Sequence, residues 1–207
     1  MIEIYLCRHG QSVANAAGML AGHIDSPLTD VGKQQAEELG HLANAAGLSF
    51  DHVYSSPLRR AKQTALVVAK MTGSPPPDTM PELIERDFGI LTGKSYKDIP
   101  KLATEVLGGE KINYFLAVEG SETFPQALKR AQKVLKIIHT HHKNGKILLA
   151  THGDIGIMIF AAFHKTPWKD ALSHFEFGNS DLLLLKEDFY HKPHVFVIDQ
   201  RGIKQKD

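Results

Sequence analysis

Short apolar runs, each ended by a polar cluster, alternate along this chain with longer segments whose apolar residues recur at helical spacing. Ile2-Glu3-Ile4-Tyr5-Leu6-Cys7 predicts a strand buried on at least one face, and Arg8-His9-Gly10 follows at once. His52-Val53-Tyr54-Ser55 predicts a second strand, and Lys146-Ile147-Leu148-Leu149-Ala150-Thr151 a third that runs into His152-Gly153. Residues 181–185 and 195–198 supply two more. Helices are expected from a Thr29 or Asp30 cap to about Gly47, from Pro57 in a first turn through Met71, over 123–142, and after Gly153 through Phe163. In the third of these, Phe124, Ala127, Leu128, Ala131, Val134, Leu135 and Ile138 share one stripe. Strands alternating with helices call for a mainly parallel sheet with helices on both faces, an α/β fold.

The Gly-punctuated stretch at about 94–120 fits this alternation poorly and is longer than most connections, so it is expected to be a small cap inserted into a single domain, 1–207. Its apolar residues Leu102, Val106, Leu107, Ile112, Tyr114, Phe115 and Leu116 are expected to pack the cap onto the sheet. A chain of 207 residues, 43% hydrophobic, can bury a core without metal or disulfide staples. Its formal net charge of +1 gives no bulk attraction for nucleic acid or anionic membranes, so any anion site must be built from a few placed residues. The lone Cys7 allows neither an internal disulfide nor a thiolate zinc site and is expected to be a buried, inert thiol. Without a signal-like start or an apolar stretch of bilayer length, the expectation is a soluble cytoplasmic protein.

Three polar clusters fall just past the carboxyl ends of predicted strands: Arg8-His9-Gly10, Ser55-Ser56-(x)3-Arg60 and Thr151-His152-Gly153. Parallel sheets place ligand crevices at that edge, so these distant clusters are expected to converge. Arginine forks match phosphate oxygens, and a neutral imidazole is a competent nucleophile.

The clusters have company: Gln11-Ser12-(x)2-Asn15, Tyr54-Ser55-Ser56-Pro57-Leu58-Arg59-Arg60-Ala61-(x)2-Thr64, Leu83-Ile84-Glu85-Arg86-Asp87-Phe88-Gly89-(x)3-Gly93 and Ala150-Thr151-His152-Gly153. Together, and in this order, they resemble the histidine phosphatase superfamily, also called the phosphoglycerate mutase-like family, from Ile2 to about Leu185. The resemblance implies that His9 takes the phosphoryl group as phosphohistidine, that Arg8, Arg60 and His152 clamp the phosphate, and that Asn15 binds it through its amide. Gly22 falls in a loop that lines the pocket, and Glu85 resembles the proton donor to the leaving oxygen. Arg59 matches the pattern less well than Arg60 and is expected to be solvated. Gln11, Arg86 and Gly153 are candidate substrate contacts; Arg86 reaches a second anionic group or braces Glu85. His23 is expected to be an ordinary loop histidine. The histidines 139, 141 and 142 are expected to favour a helix C-terminus by charge, and His191 and His194 to flank a turn at Lys192-Pro193.

The activity implied is phosphomonoester hydrolysis of a small phosphorylated metabolite with no metal and no cofactor; neither nucleic acid nor membrane is an expected partner. A 2,3-bisphosphoglycerate-dependent mutase is the alternative within the family. Against it, no arginine occurs between Arg86 and Arg130, Phe88 stands for the mutase tyrosine, Asp154 for its asparagine and Ala21 for its threonine. Lys94, Lys97 and Lys101 offer point charges without the bidentate fork. A non-catalytic phosphate-binding regulatory module is the third reading, and it predicts loss of one of His9, Arg60, Glu85 or His152.

Overall fold

The computed structural model describes residues 1–108, 113–185 and 196–198. A six-stranded sheet forms from β1 (Ile2–Arg8), β2 (His52–Ser55), β3 (Asp78–Thr79), β6 (Gly145–Thr151), β7 (Leu182–Leu185) and β8 (Phe196–Ile198), in the order β3-β2-β6-β1-β7-β8. β1 pairs in parallel with β6 from Ile2↔Gly145 to Arg8↔Thr151, and β2 pairs in parallel with β6 and β3. β7 is antiparallel to both β1 and β8. The sheet is therefore mainly parallel, as the alternation requires. Val195 lies outside the described residues, as do Ile112, His191 and His194.

Period-two alternation on β1 sends its side chains to two different cores. Ile4 and Leu6 join Ile147 and Leu149 beneath α5 (Phe124–His141), α6 (Gly153–His164) and α7 (Trp168–His174). Tyr5 and Cys7 face the opposite layer, with Leu148 and Ala150, against α2 (Asp30–Ala45) and α3 (Arg59–Met71). This double burial explains the near-continuous apolar runs of the central strands. Cys7 is fully buried, and burial pushes its thiol up to about 12.

Helix starts follow the local chemistry. Thr29 caps α2 by accepting from the Gly32 amide, and Thr123 forms a reciprocal capping box with Gln126 at the start of α5. The stripe read on α5 is the buried one, with Leu128 and Leu135 at its edge. Pro57 is not in the first turn of α3: Leu58 is the cap and the helix starts at Arg59, because Ser56 still pairs with Ala150 of β6 through its backbone amide and holds the chain extended. A four-residue helix, α1 (Val13–Ala16), follows the first polar cluster.

Within 94–120 the chain makes a 3-10 turn at Tyr96–Asp98, α4 (Ile99–Leu102) and an antiparallel pair, β4 (Glu105–Gly108) and β5 (Asn113–Ala117). Leu20, Phe88, Leu91, Ile99 and Phe115 form a third, smaller core under this segment. Among the described residues no helix is long and apolar enough to cross a membrane.

Candidate active site

β1, β6 and α3 bring His9, His152 and Arg60 to the carboxyl edge of the sheet. His9 keeps its backbone amide on the Thr151 carbonyl, and the chain then turns at Gly10, whose amide donates to Thr64 Oγ1. Gly10 and Gly32 touch backbone to backbone: a Cβ on either would run into the other segment's carbonyl, at Gly32 and at Gln11 respectively. Glycine at both positions lets α2 press the His9 loop against the sheet.

The hydrogen bonds fix the imidazole tautomers. Nδ1 of His9 lies 2.7 Å from the Gly10 carbonyl, which can only accept, so Nδ1 carries the proton. Nε2 is left with its lone pair, and Arg60 Nε donates to it at 3.2 Å. The same Arg60 N–H is shared with Nδ1 of His152 at 3.2 Å, so His152 carries its proton on Nε2 and donates to Ser56 Oγ at 2.7 Å. Burial first, then the Arg60 charge, holds both histidines well below the ordinary imidazole range, and both are neutral.

Arg60 is itself immobilised. Its terminal nitrogens donate to the carbonyls of Ile24 (2.8 Å) and Gly22 (2.9 Å), the latter aimed by a positive φ of 48° that suits glycine. Gly22 thus acts on Arg60 through its carbonyl while also lining the cavity. Arg59 points outward, half-exposed, to Asp25. Arg8 donates to the Phe177 carbonyl at 2.6 Å, and its buried Nε finds no partner among the described residues. Asn15 lines the cavity with Oδ1 held by Ser12, so its amide NH2 is the group with donors to offer.

Glu85 is buried and takes the place of a helix cap. The cap residue of α6, His152, makes no capping hydrogen bond; Glu85 instead accepts from the first-turn amides of Ile155 (3.2 Å) and Asp154 (3.4 Å), and from the Arg86 amide at 2.9 Å. Those amides favour the carboxylate, yet burial and then the neighbouring Asp154 charge outweigh them and raise its pKa. His23 donates from Nε2 to the Glu85 backbone carbonyl at 2.7 Å, and Arg130 holds the carbonyls of Glu82 and Ile84. His23 is therefore a brace for the Glu85 segment, beyond an ordinary loop histidine.

Arg8, His9, Asn15, Gly22, Arg60, Glu85, Arg86 and Gly153 line one cavity of about 420 Å³, whereas His152, held between Arg60 and Ser56, is not part of that lining. Gln11 is not part of it either: its side-chain oxygen accepts from Thr29 Oγ1 and its backbone N–H donates to Gln35 Oε1, so it fastens the loop to α2. Arg86 reaches the cavity wall but is fully buried and pairs with Asp154, not with Glu85. Of the cap residues, Tyr114 and Phe115 face the cavity as well as the core, together with Tyr96 and Ile99. Sequence reasoning gave Tyr96 and Phe177 no role; neither sits in a motif, and only the cap's tertiary placement brings them here.

His139 and His141 end α5 with their Nδ1 atoms on carbonyls one turn back, and His142 joins Tyr54 at 2.9 Å. These three lie away from the cavity lining.

The sequence matches the histidine phosphatase superfamily (branch 1) over residues 4–192. A metal-independent phosphoserine phosphatase of Arabidopsis thaliana is 36% identical over 159 residues, 74% of this chain; the chain spans 65% of that relative's length, a little under two thirds. A 2,3-bisphosphoglycerate-dependent phosphoglycerate mutase of Azorhizobium caulinodans is 33% identical over 156 residues, covering 73% of this chain and 76% of its own. Among solved structures, a variant phosphoserine phosphatase of Entamoeba histolytica in complex with phosphoserine superposes with a TM-score of 0.71 at 24% identity, over 89% of this chain and 90% of that one. That likeness is one of fold.

Proposed function

The chain belongs to the histidine phosphatase superfamily, and from that premise we propose that it hydrolyses small phosphomonoesters through a phosphohistidine at His9, with no metal or cofactor. The observation that carries this reading is the locked tautomer of His9: its lone pair sits on Nε2, toward Arg60 and the cavity. Arg8, Arg60 and the Asn15 amide surround the phosphate oxygens, and His152, held by Ser56, fixes the Arg60 guanidinium in place. Nε2 attacks phosphorus as the ester P–O bond breaks, and the Nδ1–H bond to the Gly10 carbonyl disperses the positive charge that appears on the ring. Glu85, whose pKa is raised by burial and then by the Asp154 charge, gives its proton to the leaving alkoxide. Water then attacks phospho-His9 while Glu85 takes a proton back, releasing inorganic phosphate and the starting imidazole.

Hydrolysis is favoured over mutase transfer because Lys94, Lys97 and Lys101 do not line the cavity, leaving a second anionic group without those charges. The non-catalytic reading is disfavoured by the convergence of His9, Arg60 and Glu85 on one cavity, with His152 bonded to Arg60 beside them. The relatives named above act on or hold small phosphorylated compounds, which supports a substrate of that kind. The cap 94–120 contributes walls to the same pocket in this reading, and the lone buried thiol Cys7 suits the reducing cytoplasm.

The test is hydrolysis of 4-nitrophenyl phosphate in chelator, followed by labelling with a radioactive phosphomonoester and quenching in base, where a phosphoramidate survives. Wild-type protein is expected to turn over and carry label, and His9→Ala to do neither. Full activity in His9→Ala sinks the proposal, and primed transfer between phosphoglycerates that outruns hydrolysis selects the mutase reading instead.

A further inference from the structure

Beyond the phosphate clamp, the cavity wall has one more cation among the described residues, and the fold has already paired it. Arg86 Nε donates to Asp154 Oδ2 at 2.8 Å, with the Arg86 side chain fully buried and that of Asp154 15% exposed. Its other nitrogens donate to the carbonyls of Glu122 (3.0 Å) and Phe115 (3.3 Å). Its guanidinium carbon lies 4.0 Å from the Phe115 ring centroid and 4.1 Å from that of Phe124. Every nitrogen of this fork thus has a protein partner, which takes three of its five N–H donors, and its charge is already met by Asp154.

The remaining wall is Phe88, Tyr96, Ile99, Tyr114, Phe115 and Ile157, with Asp154 set among them as a second acidic group beside Glu85. A substrate carboxylate entering here meets aromatic faces, the Asp154 charge and, among the described residues outside the phosphate clamp, only a cation that Asp154 already neutralises. Burying the carboxylate so is costly. An aromatic or apolar body finds rings to pack on.

We propose that this cavity selects phosphomonoesters whose only anion is the phosphate and whose body is aromatic or apolar, with Asp154 as the specificity-determining residue that withholds Arg86 from a substrate carboxylate. The proposal rests on the phosphomonoesterase reading of the same site. It opposes a preference for phosphoglycerate-like substrates.

The experiment uses two substrate pairs with matched alkoxide leaving groups: glycerol 3-phosphate against 3-phosphoglycerate, and benzyl phosphate against ethyl phosphate. Wild-type protein is expected to favour glycerol 3-phosphate over 3-phosphoglycerate by at least about tenfold in kcat/KM, since juxtaposing like charge costs more than that factor. It is also expected to favour benzyl over ethyl phosphate. In Asp154→Asn the 3-phosphoglycerate to glycerol 3-phosphate ratio rises about tenfold, and any effect on Glu85 cancels within the ratio. In Tyr96→Ala, a change at a residue 44% exposed, the benzyl preference falls about threefold. Wild-type parity between 3-phosphoglycerate and glycerol 3-phosphate overturns the proposal, and so does a ratio unmoved in a folded Asp154→Asn protein. Turnover of none of the four substrates brings down the phosphatase reading itself, and this inference with it.

Discussion

Arg60 Nε stands 3.2 Å from Nε2 of His9, aimed at the one imidazole lone pair that the Gly10 carbonyl leaves available. Because the same N–H is shared with His152, a single guanidinium sets the spacing of two imidazoles whose ring centroids are 5.0 Å apart. A lysine offers a point charge with no fork and cannot hold Gly22, Ile24 and both histidines at once. Arg60→Lys is therefore expected to lower kcat/KM for 4-nitrophenyl phosphate by about 100- to 1,000-fold. Steady-state kinetics on the folded variant checks this; activity within threefold of wild type removes Arg60 from the proposed clamp.

In the proposed mechanism Glu85 supplies a proton only where the leaving oxygen needs one. Glu85→Gln is expected to cost about 100-fold or more on an alkyl phosphate and far less on 4-nitrophenyl phosphate, whose phenolate departs unaided. Equal losses on both substrates contradict the proton-donor role. Protonated Glu85 is the active form for the first step, so activity falls as pH rises through its pKa. Burial and then Asp154 raise that pKa, which places the alkaline limb of kcat/KM above the ordinary carboxylate range. Removing the like charge in Asp154→Asn is expected to move that limb to lower pH. A full pH–rate profile of each protein reads the shift, and an alkaline limb unmoved or moved upward counts against the assignment.

The converging clusters were legible because a parallel sheet puts every strand end at one edge, so Arg8-His9-Gly10 and Thr151-His152-Gly153 had to be neighbours once their strands were recognised. Arg60 was separable from Arg59 by its offset from Ala61 and Thr64, and the structure buries the first and exposes the second. The fate of Arg86 was not legible. Its partner Asp154 lies 68 positions away, and whether a guanidinium meets a carboxylate or a substrate depends on packing that no local pattern encodes. The same holds for Gln11, whose neighbourhood to His9 suggested a substrate contact. Its side chain instead follows the close approach of α2.

That close approach carries its own consequence. Gly32 touches the Gln11 backbone so tightly that a methyl group has no space, and the obstacle is main chain, which cannot swing aside as a side chain does. Gly32→Ala is expected to push the 10–12 segment off α2, costing about 1–3 kcal/mol of stability and lowering activity by displacing His9. Chemical denaturation and kinetics measured together test it. A stable, fully active alanine variant means that the α2 contact does not position the His9 loop.

His9 and His152 should also govern how stability depends on acid. Both are buried and neutral, with folded pKa values well below that of an exposed imidazole, near 6.5. As pH falls below about 6.5 the unfolded chain takes up protons that the folded chain refuses, so stability is complete above that pH and declines on acidification. Glu85 has the opposite sign: its folded pKa is raised, so it favours the folded state at low pH and that gain fades as pH rises from the ordinary carboxylate value through the raised one. The histidine contribution is therefore isolated as a difference. In His152→Gln, where the amide can still accept from Arg60 and donate to Ser56, one refused proton is gone, and the loss of stability between pH 7.5 and pH 5 is expected to shrink by up to about 2 kcal/mol. Urea unfolding at the two pH values gives both slopes. A variant as acid-sensitive as wild type means that His152 is already protonated in the folded protein.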